Sequence, residues 1–215
     1  MNMKRRDGID TLNIQIREMT ELVADQVKRA ADAASSGNAR SAASVEHHDL
    51  TVIRYGILIE EECLKLLGIT PPLEDERRYV FSASKVKHEL VCIGKLARRV
   101  AHESRLLGPG GLPATARDMA LLADIAARSC TGAIHAFITR NVQATKTVWD
   151  EVPTLDDIYT RLCTRFEAAF DQPGVRIPSL LAARTMASSL ARVGGHASRI
   201  ANMVATVQPA APLSP

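Results

Sequence analysis

Hydrophobic residues recur at alternating spacings of three and four over most of this chain, a pattern typical of helices that bury one face. In the first half the pattern predicts three long helices, over residues 12–34, 45–66 and 79–100. Small and polar residues at 35–38 predict a turn after the first helix, and the Gly- and Pro-rich segment 108–113 predicts a linker after the third.

The same pattern starts again beyond that linker. Three further helices are predicted over residues 115–140, 148–169 and 183–204, with a turn at 171–174. Pro153 lies inside the fifth predicted helix. Because proline lacks a backbone donor, we expect it to kink that helix or to break it in two.

A twelve-residue phrase occurs twice in the chain, one hundred positions apart, at residues 90–101 and 190–201. Such self-similarity indicates one supersecondary unit used twice. The spacing of the apolar residues predicts near-antiparallel packing of the helices. We therefore predict an all-α fold of two tandem, pseudo-symmetric three-helix bundles, at 9–107 and 114–208, followed by a flexible tail at 209–215.

Both copies of the phrase hold a glycine at the same place, Gly94 and Gly194. A glycine inside a helix costs about 1 kcal/mol relative to alanine. Its presence in both copies predicts that a neighbouring backbone comes very close. The positions that the two copies share are therefore assigned to packing, and function is sought in the positions that differ.

Composition supports helices packed through small side chains, since 46% of residues are apolar, much of that share is alanine, and only 4% are aromatic. With 27 basic and 24 acidic residues, the charge gives no argument for a nucleic-acid partner. No apolar segment follows the basic start as in a signal peptide, and the longest charge-free stretch in the middle of the chain, 129–139, is too short to span a bilayer. We expect a cytoplasmic protein without direct membrane insertion.

Candidate chemistry is sparse. The four cysteines lack CxxC spacing and lie in helical runs, so reduced, buried thiols are favoured over zinc ligands or disulfides. The sequence has no Gly-rich phosphate loop, no nucleophile elbow, and no Cys/His or Ser/His pair at a meaningful spacing. These observations predict a binding protein that is not an enzyme and has no cofactor.

The repeated phrase also resembles that of a known family. Residues 90–97 read Leu-Val-Cys-Ile-Gly-Lys-Leu-Ala and residues 190–197 read Leu-Ala-Arg-Val-Gly-Gly-His-Ala; both are similar to the Leu-Glu-Arg-Ile-Gly-Asp-x-Ala phrase of the PhoU family. Further matches in the same order extend the resemblance over nearly the whole chain: Val45 with Asp49, Ile59 to Cys63, Pro72 with Arg78, and Ile177 with Pro178. The resemblance implies two three-helix bundles and a role as accessory and regulatory protein of bacterial phosphate-specific ABC transport.

The acids of the family phrase are missing here. In the family, the Glu and the Asp of each phrase lie one helical turn apart on one face, where their carboxylates suit the hard cations of multinuclear metal clusters. The corresponding positions in this chain are Val91, Lys95, Ala191 and Gly195. We therefore predict that the family's metal clusters are absent.

Three interpretations of the altered face stay open. It is a solvated, weakly basic surface, or it binds an anion or an acidic partner through charge-assisted contacts from Lys95, Arg98, Arg99 and Arg199. The third is metal bound by another set of residues, which would depend on His88 and His102. These two histidines are about 21 Å apart along one helix, so they cannot share a metal within one chain.

Two single residues carry local expectations. Asp49 lies on the apolar row of the second helix, where a buried acid must find a partner, and we expect a nearby histidine or arginine to supply it. Trp149, the only tryptophan, either packs on the fourth helix or is exposed as an interface anchor.

Two functional hypotheses follow. The first is a PhoU-like regulator of phosphate uptake that acts by protein contact; by resemblance its partners are the phosphate transporter's ATPase subunit or the associated sensor histidine kinase, and it forms a homodimer. The second is a diverged helical adaptor that binds an anionic ligand, or another membrane-associated partner, through the basic face.

Overall fold

The structure is a computed structural model that describes residues 3–36, 38–68, 74–107 and 113–204. Within them the chain forms six α-helices and no strand, which confirms the predicted all-α class. The helices are α1 (Met3–Ser36), α2 (Ala39–Gly68), α3 (Glu74–Ser104), α4 (Pro113–Thr139), α5 (Thr145–Phe170) and α6 (Ile177–Val204). The predicted tail and all of the predicted linker except Pro113 lie outside the described residues.

The helix ends follow from local chemistry. Asn38 begins α2, because its side-chain Oδ1 accepts hydrogen bonds from the backbone N–H groups of Arg40 and Ser41 at 3.1 and 3.2 Å. Three acidic residues in the first turn of α3 complement the positive end of that helix. Gly174, with φ of +84°, supplies the left-handed backbone of the predicted turn between α5 and α6.

Pro153 lies inside α5 without breaking it, so of the two expected outcomes, a kink or a break, the break is wrong. The helix runs without interruption over 26 residues. Proline removes one backbone donor, which leaves the carbonyl of Trp149 without its helical partner. Because Pro153 and Trp149 are both exposed, water can hydrogen bond to that carbonyl.

The six helices form two three-helix bundles that share a broad face. Helices α1, α2 and α3 pack together, as do α4, α5 and α6. In addition α1 packs against α4, and α3 packs against α6. Helices α1, α3, α4 and α6 therefore form a central group of four, in which each helix packs against two of the others, with α2 and α5 on its flanks.

Helix α4 contains one segment, Thr115–Thr139, that is long and apolar enough to cross a membrane by length and composition alone. Its most apolar window is 56% buried inside the bundles, which is the environment of a core helix.

The cysteines are all free thiols. Cys63 and Cys130 are buried, as predicted, and burial raises their pKa values to about 11 and about 12, so both stay protonated at neutral pH. Cys92 and Cys163 are half-buried. Cys92 lies on the exposed side of α3, with its Sγ 3.7 Å from Nε2 of His88.

Candidate functional site

The two copies of the repeated phrase lie on α3 and α6, which cross as antiparallel neighbours. Ser179, at the start of α6, donates from Oγ to the carbonyl of Leu107, three residues after the end of α3, at 2.9 Å. At the other end of the contact, Glu89 of α3 meets Arg199 of α6. This junction between the two bundles therefore brings the two copies of the phrase together.

The shared glycines lie beneath side chains, which differs from the expected close backbone. A Cβ added at Gly94 would lie 3.2 Å from Oε1 of Gln26 and 3.2 Å from Cγ1 of Val52. A Cβ added at Gly194 would overlap Cδ1 of Leu155. Side chains from α1, α2 and α5 thus fill the space over each glycine, so the shared positions do serve packing.

The four positions that hold acids in the family phrase do not suit a metal ion. Lys95 is exposed and brings a positive charge, while Val91, Ala191 and Gly195 are half-buried and carry no ligand atom on their side chains. Among the described residues, no three His, Cys, Asp or Glu side chains are grouped so that they could hold a metal ion.

Acids of α2 pair with basic residues on α3 and directly after it, an arrangement that the pattern along single helices does not predict. Nη1 of Arg98 lies 3.1 Å from Oδ2 of Asp49, so the expected structural partner of this buried acid is an arginine. Glu60 accepts from Lys87 at 3.0 Å. Glu46 pairs with Arg105 at 2.9 Å, and His102 lies near the same carboxylate. Arg98 of the predicted basic face is therefore neutralised within the molecule, together with the neighbouring Lys87 and Arg105.

A buried polar cluster joins the two bundles where Glu89 meets α6. Nδ1 of His196 lies 2.6 Å from Oε2 of Glu89, and the same oxygen accepts from Nε of Arg199 at 2.9 Å. Nη2 of Arg199 is also 2.6 Å from Nδ1 of His196. In a neutral histidine, Nδ1 either carries a proton and donates to the Glu89 carboxylate or is unprotonated and accepts from the Arg199 guanidinium. Each tautomer of His196 can therefore make only one of these two hydrogen bonds.

The cluster shifts the pKa values of both titratable partners downward. Burial by itself raises the pKa of Glu89, but hydrogen bonds from His196 and Arg199, together with the charge of Arg199, outweigh it and lower the pKa. Burial lowers the pKa of His196 despite the neighbouring carboxylate. The favoured state at neutral pH is therefore a charged Glu89–Arg199 pair beside a neutral histidine.

An arginine-lined groove lies further along the same junction. It has a volume of about 290 Å³ and is formed by α3, α5 and α6. Three of its lining residues are arginines; the lining is Arg99, Tyr159, Leu181, Arg184, Thr185, Ser188, Ser189 and Arg192. None of these lining residues is acidic, and in the described part of the chain no carboxylate forms an ion pair within 4.0 Å of the three guanidinium groups.

The residues predicted to bind an anion lie in different surroundings in the structure. Arg98 pairs with Asp49, and Arg199 pairs with Glu89. Lys95 is exposed and is not part of the groove lining, whereas Arg99 is. Arg99 is joined in the groove by Tyr159 of α5, a proximity that the sequence does not predict because the two residues lie on different helices.

Trp149 takes a position between the two expected alternatives. Its indole Nε1 donates to Oδ1 of Asn202 on α6 at 3.1 Å, and 42% of the residue is exposed. Its hydrogen bond is to α6, a helix that neither alternative named.

The comparisons with known proteins agree with this architecture. The crystal structure of PhoU from Pseudomonas aeruginosa superposes with a TM-score of 0.90 at 23% identity, covering 94% of this chain and 97% of that one. The PhoU regulatory protein from Streptococcus pneumoniae gives a TM-score of 0.85 at 16% identity, with 94% and 96% covered. At these identities the two likenesses show a common fold.

Sequence comparison points the same way. A relative from Aquifex aeolicus named phosphate-specific transport system accessory protein PhoU homolog is 21% identical over 160 residues, or 74% of this chain and 72% of the relative. A relative of the same name from Xylella fastidiosa is 23% identical over 199 residues, or 92% and 82%. The family model of the PhoU domain matches twice, at residues 16–104 and 119–204. Because the two matches together cover most of this chain, the chain belongs to the PhoU family.

Proposed function

We propose that this protein is a cytoplasmic, non-enzymatic regulator of phosphate uptake and phosphate signalling that acts by protein–protein contact and without metal clusters. Its relatives are named as accessory proteins of phosphate-specific transport, which supports the process. The partners that this role implies are the ATPase subunit of the phosphate transporter or the associated sensor histidine kinase, and the protein forms a homodimer.

The observation that carries the proposal is the replacement of all four expected acids on an otherwise intact scaffold. Val91, Lys95, Ala191 and Gly195 leave no carboxylate at these positions. The helices around them nevertheless keep the fold of the family. A scaffold retained without its metal ligands is consistent with a function that depends on the protein surface.

An exposed apolar row on α2 supports contact with another protein. Leu50, Ile53, Ile57 and Leu64 are exposed, and Leu50 is 76% exposed. Their spacing places them on one side of the helix over about 21 Å. Exposed apolar surface of this kind is more frequent at interaction sites than on bare protein surface.

Capture of partners from cells tests the proposal. Affinity-tagged protein, purified with its associated membrane fraction from phosphate-replete cells, should retain the transporter ATPase subunit or the sensor kinase. A Leu50→Lys, Ile57→Lys double variant should lose most of that capture. A double variant Ile14→Lys, Leu121→Lys, which alters exposed apolar residues on α1 and α4, is the matched control and should retain it.

Two results would contradict the proposal. Capture of neither protein would favour the diverged adaptor. Elemental analysis of the same purified protein should find no stoichiometric iron, manganese or zinc, and stoichiometric metal would contradict the metal-free part.

A further inference from the structure

The groove lined by Arg99, Arg184 and Arg192 has a counterpart in the other repeat, and the comparison explains its charge. Adding one hundred to the number of a residue in the first phrase, or in the helical turns just before it, gives its equivalent in the second repeat. Arg199 of the buried cluster is therefore equivalent to Arg99 of the groove, and Glu89 is equivalent to Ser189. The cluster and the groove are the two pseudo-symmetric versions of one junction.

The two versions differ in whether the protein supplies the anion. In the cluster, Glu89 accepts a hydrogen bond from Nε of Arg199 at 2.9 Å. In the groove, Ser189 stands where that carboxylate would be, and its hydroxyl donates to the carbonyl of Thr185 at 2.8 Å. Arg99 thus lacks the internal acid that its equivalent has.

Other changes in the second repeat increase the positive charge at this place. Arg184 and Arg192 replace the residues equivalent to Ser84 and Cys92. Three guanidinium groups around one groove repel one another, and a bound anion would relieve that repulsion. Arginine also binds tetrahedral oxyanions through paired N–H donors.

We infer that this groove binds a phosphate group, as inorganic phosphate or as the phosphate of a small phosphomonoester, in the place that Glu89 occupies in the other repeat. Arg99, Arg184 and Arg192 supply the charge, and the hydroxyl groups of Tyr159 and Ser188 add neutral donors. A volume of about 290 Å³ lies at the small end of the range for ligand sites, and leaves room for an organic group beside the phosphate. This site is independent of the protein contacts proposed above.

Calorimetric titration tests the inference on the full chain. Inorganic phosphate and adenosine 5′-monophosphate are each titrated at constant ionic strength, with chloride as the balancing anion. We expect saturable binding at one site per chain. Tighter binding of the nucleotide would identify a phosphomonoester as the ligand, whereas equal or weaker binding would identify free phosphate.

Variants separate the groove from general basicity. Arg192→Gln and Arg99→Gln should each weaken binding by about tenfold to a hundredfold, the range for loss of a hydrogen bond to a charged group. Ser189→Glu should abolish binding, because it installs beside Arg99 the carboxylate that Glu89 presents to Arg199. Arg17→Gln, which removes the same charge from an exposed position on α1, should bind like the wild type.

Thermal unfolding gives a second measurement of the same site. Phosphate should raise the Tm of the wild type and of Arg17→Gln above the value in chloride, as expected for a ligand that binds the folded state. The Tm of Ser189→Glu should not respond. The inference is overturned if neither probe binds saturably, or if Arg192→Gln and Arg17→Gln bind them equally well.

Discussion

Gly194 and Gly195 are neighbours in α6, but a side chain at the two positions would meet different surroundings. A Cβ at Gly194 would overlap Cδ1 of Leu155, which is itself buried in the second bundle. A Cβ at Gly195 would have no heavy atom within 4 Å among those considered around it. A side chain at position 194 therefore forces Leu155 to move within the core, while Gly195 gives the helix no packing advantage.

This contrast predicts opposite effects of alanine. Gly194→Ala should be less stable than Gly195→Ala by about 1–3 kcal/mol, the cost of overpacking a core, since both variants gain the same helix propensity. Gly195→Ala should exceed the wild type by up to about 1 kcal/mol. Urea unfolding monitored by circular dichroism gives both differences, and equal midpoints for the two variants would show that Leu155 moves aside without cost.

The sequence predicts features that depend on neighbours along one helix. The buried row from Val45 to Leu66 was predicted correctly, including Asp49, because helical periodicity alone places those residues on one face. The sequence does not predict that α1 starts at Met3, because polar and charged residues occupy most positions before Leu12.

The sequence does not predict features that depend on how two helices align with each other. Glu89 and His196 are 107 positions apart, and their contact is set by the register between α3 and α6. The groove at Arg99 depends on the same register, together with the position of Tyr159 on α5. Periodicity identifies the face of a helix but does not specify which residues meet across an interface.

At the scale of helices, the α3–α6 junction contains a group whose protonation opposes folding. The fold lowers the pKa of His196 below its ordinary value of 6.5, so below that pH the unfolded chain binds a proton more readily than the folded one. The fold also lowers the pKa of Glu89 below 4.5, with the same sign in a more acidic range. Lowering the pH therefore destabilises the folded junction in two steps, first through protonation of His196 and then through protonation of Glu89.

We predict that the free energy of unfolding falls as the pH is lowered from 7.5 to 5.5, and that it falls less in His196→Asn. The asparagine amide can still donate to Glu89, but it does not titrate in this range. Urea unfolding at several pH values measures the two slopes. The same slope for both proteins would mean that His196 titrates alike in the folded and unfolded chains.

At the scale of the whole molecule, the central and flanking helices have different support. Helices α1, α3, α4 and α6 each pack against a helix of the other bundle as well as their own. Helix α2 packs against α1 and α3, and α5 packs against α4 and α6. Opening a flanking helix therefore exposes less buried surface than opening a central one.

Hydrogen exchange should reveal this difference. We expect amides in the middle of α2 and α5 to exchange through local opening at least about tenfold faster than buried amides of α3 and α6, because less burial is lost. Exchange measured by mass spectrometry on peptic fragments under native conditions gives the comparison. Uniform protection of all six helices would indicate that the molecule opens only as a unit.

The contacts between the bundles have the form that a two-fold axis produces. Helix α1 meets its equivalent α4, and α3 meets its equivalent α6, as in the interface of a symmetric homodimer. Here the two bundles that correspond to such subunits belong to one polypeptide, so their association does not depend on protein concentration. A symmetric dimer encoded by one gene must place any substitution in both subunits, whereas this chain can hold glutamate at 89 and serine at 189. Covalent linkage thus allows the two equivalent halves of this interface to differ, the first closed by its own carboxylate and the second open to a ligand.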